Sequence, residues 1–69
     1  MKISARNVFK GMVSKIVLGL VNSEVSIALT DGTEIVSIIT KASVKNLGLK
    51  KGKEVYAVIK ASNVMIAID

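Results

Sequence analysis

Cysteine, histidine and proline are all absent from this sequence of 69 residues. Without cysteine and histidine the chain has neither disulfide bridges nor the usual zinc ligands, which commonly stabilise so short a chain. The absence of histidine also removes the side chain that most often acts as a general base near neutral pH. We therefore predict a protein that is not an enzyme, has no covalent cofactor and offers no direct ligands to a metal cation. No linker-like tract interrupts the chain, so we expect a single domain.

Acidic residues are few and scattered. The five carboxylates lie in separate predicted elements, and no two have the spacing of a paired-carboxylate or metal site. The five glycines are isolated from one another, so the chain has no glycine-rich phosphate-binding loop. The sequence therefore contains no recognisable catalytic motif.

Long apolar runs are missing as well. Stretches without a charged residue, such as Ile16–Ser23, are much shorter than the ~20 apolar residues that cross a bilayer. Arg6 interrupts the amino-terminal segment before an apolar run develops, which is unlike a secretory signal. From these two features we predict no membrane association and a cytoplasmic location.

Apolar and basic side chains are abundant. Hydrophobic residues make up 51% of the chain, and ten Lys and Arg residues against five Asp and Glu give a net charge of +5. A monomer of this size buries only about 60% of the surface that its unfolded chain exposes, so its core is thin. We therefore predict a homo-oligomer whose interfaces complete the core. The positive charge favours an anionic partner.

Three strands are predicted in the first half of the chain, and one of them shows a clear alternation of apolar and polar residues. The alternation is clearest over residues 20–30, after which an Asp-Gly hairpin turn leads into a return strand over Thr33–Thr40. The return strand is apolar on both faces, so both faces are predicted to be covered. A further strand is predicted over Arg6–Val17, with a bend or bulge at Gly11.

The second half of the sequence predicts one short helix and two more strands. The strand pattern breaks over Lys41–Leu47, where Thr40 or Ser43 is a candidate helix N-cap. Alternation returns over residues 54–61 and, after a Ser-Asn turn, over Val64–Ile68. We therefore predict an all-β fold, an OB-like five-stranded small barrel with one short helix between strands 3 and 4.

Three segments carry hydrogen-bond donors without a neighbouring carboxylate. They are Ser4-Ala5-Arg6-Asn7, Thr40-Lys41-Ala42-Ser43 and Lys60-Ala61-Ser62. Each segment alone is explained by a helix cap or a solvated turn. Together they predict a pocket for a fully ionised tetrahedral anion, which carries only acceptors, whereas monohydrogen phosphate needs an acceptor for its proton. Such a pocket favours molybdate, tungstate or sulfate over phosphate.

Several short segments along the whole chain match the pattern of a known family. They are Ser4-Ala5-Arg6-Asn7, Ile38-Ile39-Thr40, Ser43-Val44, Leu47-Gly48-Leu49, Val58-Ile59-Lys60-Ala61-Ser62 and Val64-Met65. In these segments the sequence resembles the molybdate-binding Mop domains. The resemblance implies a single Mop domain over residues 1–69, of the stand-alone molbindin type, assembled as a homohexamer that is a trimer of dimers. It also implies non-covalent binding of molybdate or tungstate at subunit interfaces in the cytoplasm, for storage or homeostasis.

The same resemblance implies which residues bind the anion. The main site takes groups from one subunit and from a partner, namely Ser4 and Arg6 from the first, and Lys60, Ala61 and Ser62 from the second. Alanine contributes its backbone N–H, and the segment from Thr40 to Ser43 contributes a hydroxyl. A second kind of site, on threefold axes, would involve the loop Gly19–Asn22.

Two other functions fit the same composition. An OB-type nucleic-acid-binding module agrees with the basic charge, but OB-folds that bind single strands stack bases on aromatic side chains. This chain has only Phe9 and Tyr56 for that purpose. A structural assembly domain, in which the donors are caps and the apolar surface makes the oligomer, needs no ligand at all.

The apolar surplus leads to a first prediction about size. Light scattering on dilute protein should give a mass several times the 7.3 kDa of one chain, with a hexamer as the expected state. A stable, well-folded monomer would contradict both the oligomer and a site at its interfaces.

Overall fold

Four strands, one short α-helix and one 3-10 turn make up the chain, and the computed structural model describes all 69 residues. The strands are β1 (Asn7–Leu18), β2 (Asn22–Leu29), β3 (Glu34–Thr40) and β4 (Glu54–Ile59). The helix α1 spans Lys41–Asn46, and the 3-10 turn spans Ala61–Asn63. These strands and α1 lie where the sequence predicts them, within two residues at each end. No helix here is long and apolar enough to cross a membrane.

A single antiparallel sheet in the order β3-β2-β1-β4 organises the molecule. The long strand β1 pairs with two neighbouring strands. Its first half pairs with β4, beginning with Asn7 opposite Ile59, and its second half, up to Leu18, pairs with β2. β3 pairs with β2 so that Thr40 lies opposite Asn22. We call the two ends of the sheet the Asn7 end and the Leu18 end.

The hydrophobic core lies on the inner face of this sheet. Its five buried side chains are Val13, Val25, Ile27, Val44 and Ala57. Val25 and Ile27 share this face because alternate residues of a strand point the same way, and α1 reaches the core through Val44. On the opposite face of β3, Val36 and Ile38 remain 55% and 64% exposed. The prediction that both faces of β3 are covered is therefore wrong for a single chain, because nothing in one copy packs against the outer face.

Gly11 is required by close packing, and the bulge predicted at this position lies instead at Ser14. The β1–β2 register shifts between Val13 and Lys15, which makes Ser14 the extra residue. At Gly11 an added Cβ would lie 2.7 Å from the carbonyl oxygen of Ala28 and would also contact the side chain of Ile27, both in β2. Glycine therefore lets β1 and β2 approach each other beside the core.

The predicted fifth strand, Val64–Ile68, does not form in this chain. The Ser-Asn turn predicted before it is the 3-10 turn, and the residues beyond that turn join no strand of the sheet. Met65, Ile66 and Ile68 are each more than 90% exposed. Alternation of apolar residues gives a segment the pattern of a strand, but a strand also needs an edge with which to pair. The all-β class with one short helix is confirmed, with four strands rather than five.

Replacing Gly11 by alanine tests the close approach of β1 and β2. Gly11→Ala should lower the free energy of unfolding by about 1–3 kcal/mol, because the new methyl group overpacks against the β2 backbone. Lys15→Ala, on an exposed position of the same strand, is the matched control and should change stability by less than about 0.5 kcal/mol. Urea unfolding of both variants measures the difference. If the two variants are equally stable, β1 and β2 accommodate the new methyl group without a loss in the free energy of unfolding.

Candidate functional site

Two of the three donor segments meet at the Asn7 end of the sheet. Because Asn7 pairs with Ile59, the residues before β1 and those after β4 lie side by side, and Asn7 Nδ2 donates to Ile59 O at 3.2 Å. Between them is a surface depression of about 470 Å³. It is lined by Ile3, Ser4, Ala5, Arg6, Lys60, Ala61 and Ser62. We call this depression the Arg6–Lys60 cavity.

The chemistry of the Arg6–Lys60 cavity is that of donors. Its lining has a guanidinium, an ammonium and two serine hydroxyls, and it has no carboxylate. The backbone N–H groups of Ala61 and Ser62 form no hydrogen bond within the chain, since they begin the 3-10 turn, whose first N–H groups have no partner inside it. The charged and hydroxyl side chains are all exposed. A small anion is therefore the ligand that suits this cavity.

The resemblance divides these residues between two subunits, whereas here they lie on one chain. The pairing of the start of β1 with the end of β4 brings them together without a second copy. Five of the seven predicted oxyanion-binding residues thus line one cavity: Ser4, Arg6, Lys60, Ala61 and Ser62. Ile3 and Ala5 also line the cavity. Their side chains are apolar, so a search of the sequence for hydrogen-bond donors does not identify them.

The remaining two predicted site residues, Thr40 and Ser43, lie at the Leu18 end. Thr40 is the N-cap of α1, where its Oγ1 accepts a hydrogen bond from the Ser43 backbone N–H at 3.0 Å. The same oxygen donates to Ser43 Oγ at 2.8 Å. The 12 residues of β1 separate the two ends of the sheet, and at about 3.3 Å per residue that is roughly 35 Å along an extended strand. Within one chain these hydroxyls therefore do not reach an anion in the Arg6–Lys60 cavity.

The loop proposed for a second kind of site forms the tip of the β1–β2 hairpin. Its turn is closed by a hydrogen bond from Gly19 N to Asn22 O at 3.0 Å, and Leu20 at its tip is 99% exposed. It carries no charged side chain. The site on this loop stays a prediction.

Ionisable groups with shifted pKa values lie outside the Arg6–Lys60 cavity. The Glu54 carboxylate, 3.2 Å from Lys10 Nζ, raises the pKa of Lys10 through a hydrogen bond and through its charge. The backbone N–H of Thr33, which donates to the Asp31 carboxylate, lowers the pKa of Asp31. Both shifts are explained by exposed local contacts. Neither group is placed to serve as a general acid or base at the cavity.

Sequence comparison identifies the family. The model of the TOBE domain family matches residues 3–66. The chain belongs to the TOBE domain family. Over this TOBE domain, a probable molybdenum-pterin-binding protein of Haemophilus influenzae is 48% identical across 69 residues, and the match covers the whole of both chains. Molybdenum-pterin-binding protein MopA of Rhodobacter capsulatus and molybdenum transport protein ModE of Azotobacter vinelandii are 48% and 49% identical, but the TOBE domain described here spans only 25% and 26% of their lengths.

Solved structures agree with this assignment. MopII from Clostridium pasteurianum matches with a TM-score of 0.93 at 45% identity, covering 97% of this TOBE domain and all of MopII. A molybdate-bound structure of ModG, described as a cytoplasmic molybdate-binding protein, matches with a TM-score of 0.91 at 54% identity. That match covers 94% of this TOBE domain and 46% of ModG. The resemblance to Mop domains and the OB-like fold are both confirmed.

The helix cap at Thr40 gives a stability prediction. Thr40→Ala should lower the free energy of unfolding by about 1 kcal/mol, because the Ser43 N–H loses its acceptor. Thr40→Ser keeps a hydroxyl at the same place and should retain most of the stability. Urea unfolding without added anion measures both. If Thr40→Ala unfolds like the parent, the hydroxyl does not cap α1.

Proposed function

We propose that this TOBE domain binds molybdate or tungstate non-covalently and is not an enzyme. The observation that carries the proposal is the Arg6–Lys60 cavity, where charged, hydroxyl and backbone donors meet without a carboxylate. Molybdate and tungstate dianions carry only acceptors at neutral pH, so every one of these groups can donate to them. Monohydrogen phosphate brings a proton, and the cavity lining has no carboxylate to accept it. Phosphate is therefore expected to bind more weakly.

The names of the relatives support the same ligand. The protein of Haemophilus influenzae that matches from end to end is called a probable molybdenum-pterin-binding protein, and ModG has been crystallised with molybdate. ModG is also described as cytoplasmic. We propose the same compartment for this chain, with storage or homeostasis of the oxyanion as its role.

A complete site is proposed to need a second copy of the chain. The Arg6–Lys60 cavity is open to solvent at the Asn7 end, and the third donor segment is at the Leu18 end, too far away to contact the same ion. In a homohexamer built as a trimer of dimers, the Leu18 end of one copy can lie over the Asn7 end of another. Thr40 and Ser43 of the second copy would then contribute a hydroxyl to the first copy's cavity.

The hydrogen bonds around Thr40 support this use of Ser43. Thr40 Oγ1 accepts from the Ser43 N–H and donates its own proton to Ser43 Oγ. Ser43 Oγ therefore accepts through one of its two lone pairs, while its own hydroxyl proton has no acceptor within the chain. An anion supplies that acceptor. In this arrangement Thr40 orients the Ser43 hydroxyl, and that hydroxyl donates a hydrogen bond to the anion.

The aromatic side chains give no support to a nucleic-acid-binding module. Phe9 lies opposite Ala57 in the β1–β4 pair, and Tyr56 is the next residue along β4. Neighbouring residues of a strand point to opposite faces, so Phe9 and Tyr56 lie on different sides of the sheet. They do not form one surface on which successive bases stack.

Arg6 is the residue whose replacement tests the proposed function most sharply. A guanidinium offers a rigid fork of donors to two anion oxygens, whereas an ammonium is a mobile point charge, so Arg6→Lys should weaken molybdate binding although the charge is kept. Arg6→Ala should weaken it further, by roughly ten- to a hundredfold, as expected for loss of a charge-assisted hydrogen bond. Isothermal titration with molybdate, tungstate and phosphate measures these affinities.

Lys51→Ala is the matched control for charge. Lys51 is an exposed cation in the turn before β4 and does not line the Arg6–Lys60 cavity. This variant should keep the parent's affinity for molybdate, and all variants should keep the parent's assembled size. Equal losses in Arg6→Ala and Lys51→Ala would show that diffuse positive charge holds the anion. Equal affinity of the parent for phosphate and molybdate would contradict the donor-only site.

A further inference from the structure

The short helix α1 is held at both of its ends by side chains. It has six residues, whereas isolated helices shorter than about 12–15 residues are marginal in water. Its one buried side chain is Val44, so packing alone anchors α1 only weakly. Thr40 caps its amino-terminal end. The carboxy-terminal end is fixed by a lysine from the turn that precedes β4.

Lys53 makes this contact at the carboxy-terminal end of α1. Its ammonium donates hydrogen bonds to Leu47 O at 2.7 Å and to Gly48 O at 3.2 Å. Neither carbonyl accepts a hydrogen bond from a backbone N–H, so Lys53 supplies a donor where the end of a helix lacks one. An added Cβ at Gly48 would lie 3.4 Å from Lys53 Nζ, so the ammonium packs directly against this residue. A cation here also interacts favourably with the helix dipole.

The backbone of Lys53 is fixed to the centre of the sheet. Its carbonyl oxygen accepts a hydrogen bond from Val13 N at 2.9 Å, and Val13 O accepts one from Gly52 N at 2.8 Å. Val13 lies in β1 and is 1% exposed, the lowest exposure in the core. Lys53 therefore joins β1, through its backbone, to the end of α1, through its side chain.

A series of hydrogen bonds leads from Lys53 to the Ser43 hydroxyl. Lys53 Nζ donates to Leu47 O, and the N–H of Leu47 donates to Ser43 O at 2.9 Å. The N–H of Ser43 donates to Thr40 Oγ1 at 3.0 Å, and Thr40 Oγ1 donates to Ser43 Oγ at 2.8 Å. Ser43 thus lies between the two side chains that hold α1.

We infer that Lys53 is a positioning residue for the proposed anion site. It acts through α1 and not by contact with the anion. By fixing the end of α1 to β1, it holds the Ser43 hydroxyl in place before the anion arrives, so less conformational entropy is lost on binding. The inference rests on the proposed function, because it requires Ser43 to donate to the anion. Without the ammonium, α1 keeps its Thr40 cap and the buried Val44.

Lys53→Met tests this role, because methionine keeps an unbranched side chain and removes the ammonium. This variant should bind molybdate roughly two- to tenfold more weakly than the parent, as expected for loss of one hydrogen-bonded contact. Lys53→Arg offers donors to both carbonyls and should restore most of the affinity. Isothermal titration measures these affinities on variants that keep the parent's assembled size.

Lys51→Met is the matched control. Lys51 is exposed in the same turn, and its ammonium has no partner within the chain. This variant loses the same charge and should bind molybdate like the parent. Equal affinities of Lys53→Met and Lys51→Met would overturn the inference.

Combining Lys53→Met with Ser43→Ala separates positioning from a general loss of stability. Positioning acts through the Ser43 hydroxyl, so Lys53→Met should cause no further loss of molybdate affinity in the Ser43→Ala background. Equal losses in both backgrounds would overturn the inference. If Ser43→Ala weakens binding and Lys53→Met does not, only the role of Lys53 is wrong. If Ser43→Ala binds like the parent, the proposed use of Ser43 is wrong, and the positioning role is wrong with it.

Hydrogen exchange of backbone amides tests the contact without any anion. The amide of Leu47, which closes the last turn of α1, should exchange severalfold faster in Lys53→Met than in Lys51→Met, and the amide of Val25 in the core should exchange as in the parent. NMR measures both rates. An equal Leu47 rate in the two variants would show that Lys53 does not hold α1. Faster exchange at Leu47 and Val25 alike would indicate general destabilisation and would also contradict the inference.

Discussion

The antiparallel pairing of β1 with β4 is the constraint on which the candidate site depends. β1 continues through both halves of the sheet, and its first residue, Asn7, lies opposite the last residue of β4, Ile59. The segments that flank this pair hold Arg6 and Lys60, so two cations that are far apart in sequence meet at one end of the molecule. Because the same strand continues to the other end, it also keeps the Thr40 segment away from them.

The thin core explains why the chain is suited to assembly. Only five hydrophobic side chains are buried, whereas many large apolar side chains remain exposed, among them Leu20 at the β1–β2 turn and Ile66 beyond β4. A protein of this size without disulfides or a metal has few other ways to gain stability. Contacts between copies, as proposed above, would bury this apolar surface. If they also bring the Leu18 end of one copy to the Asn7 end of another, the same contacts complete an anion site.

The sequence predicted most of the local structure and part of the site. All four observed strands were predicted, β2 and β4 from the alternation of apolar and polar residues and β3 from the apolar run after the Asp-Gly turn, and the donor segments around Arg6 and Lys60 indicated the cavity that they line. Alternation does not say whether a partner edge exists, so it predicted a fifth strand at Val64–Ile68 that one chain does not form. It also placed the bulge at Gly11, because a glycine in a strand allows either a bend or a close approach, and only the register distinguishes the two. Sequence order likewise gave no sign that Thr40 and Arg6 lie at opposite ends.

Mixing two defective variants tests directly whether two copies complete one anion site. Arg6→Ala and Ser43→Ala each remove one proposed contributor, and the two residues lie at opposite ends of the sheet. When the two are unfolded, mixed and refolded together, about one site in four joins an intact Arg6 to an intact Ser43 of another copy. Titration of the mixture with molybdate should then reveal a class of sites with the parent's affinity that neither variant shows alone. If the mixture binds only as the average of its two components, Arg6 and Ser43 of different copies do not share an anion.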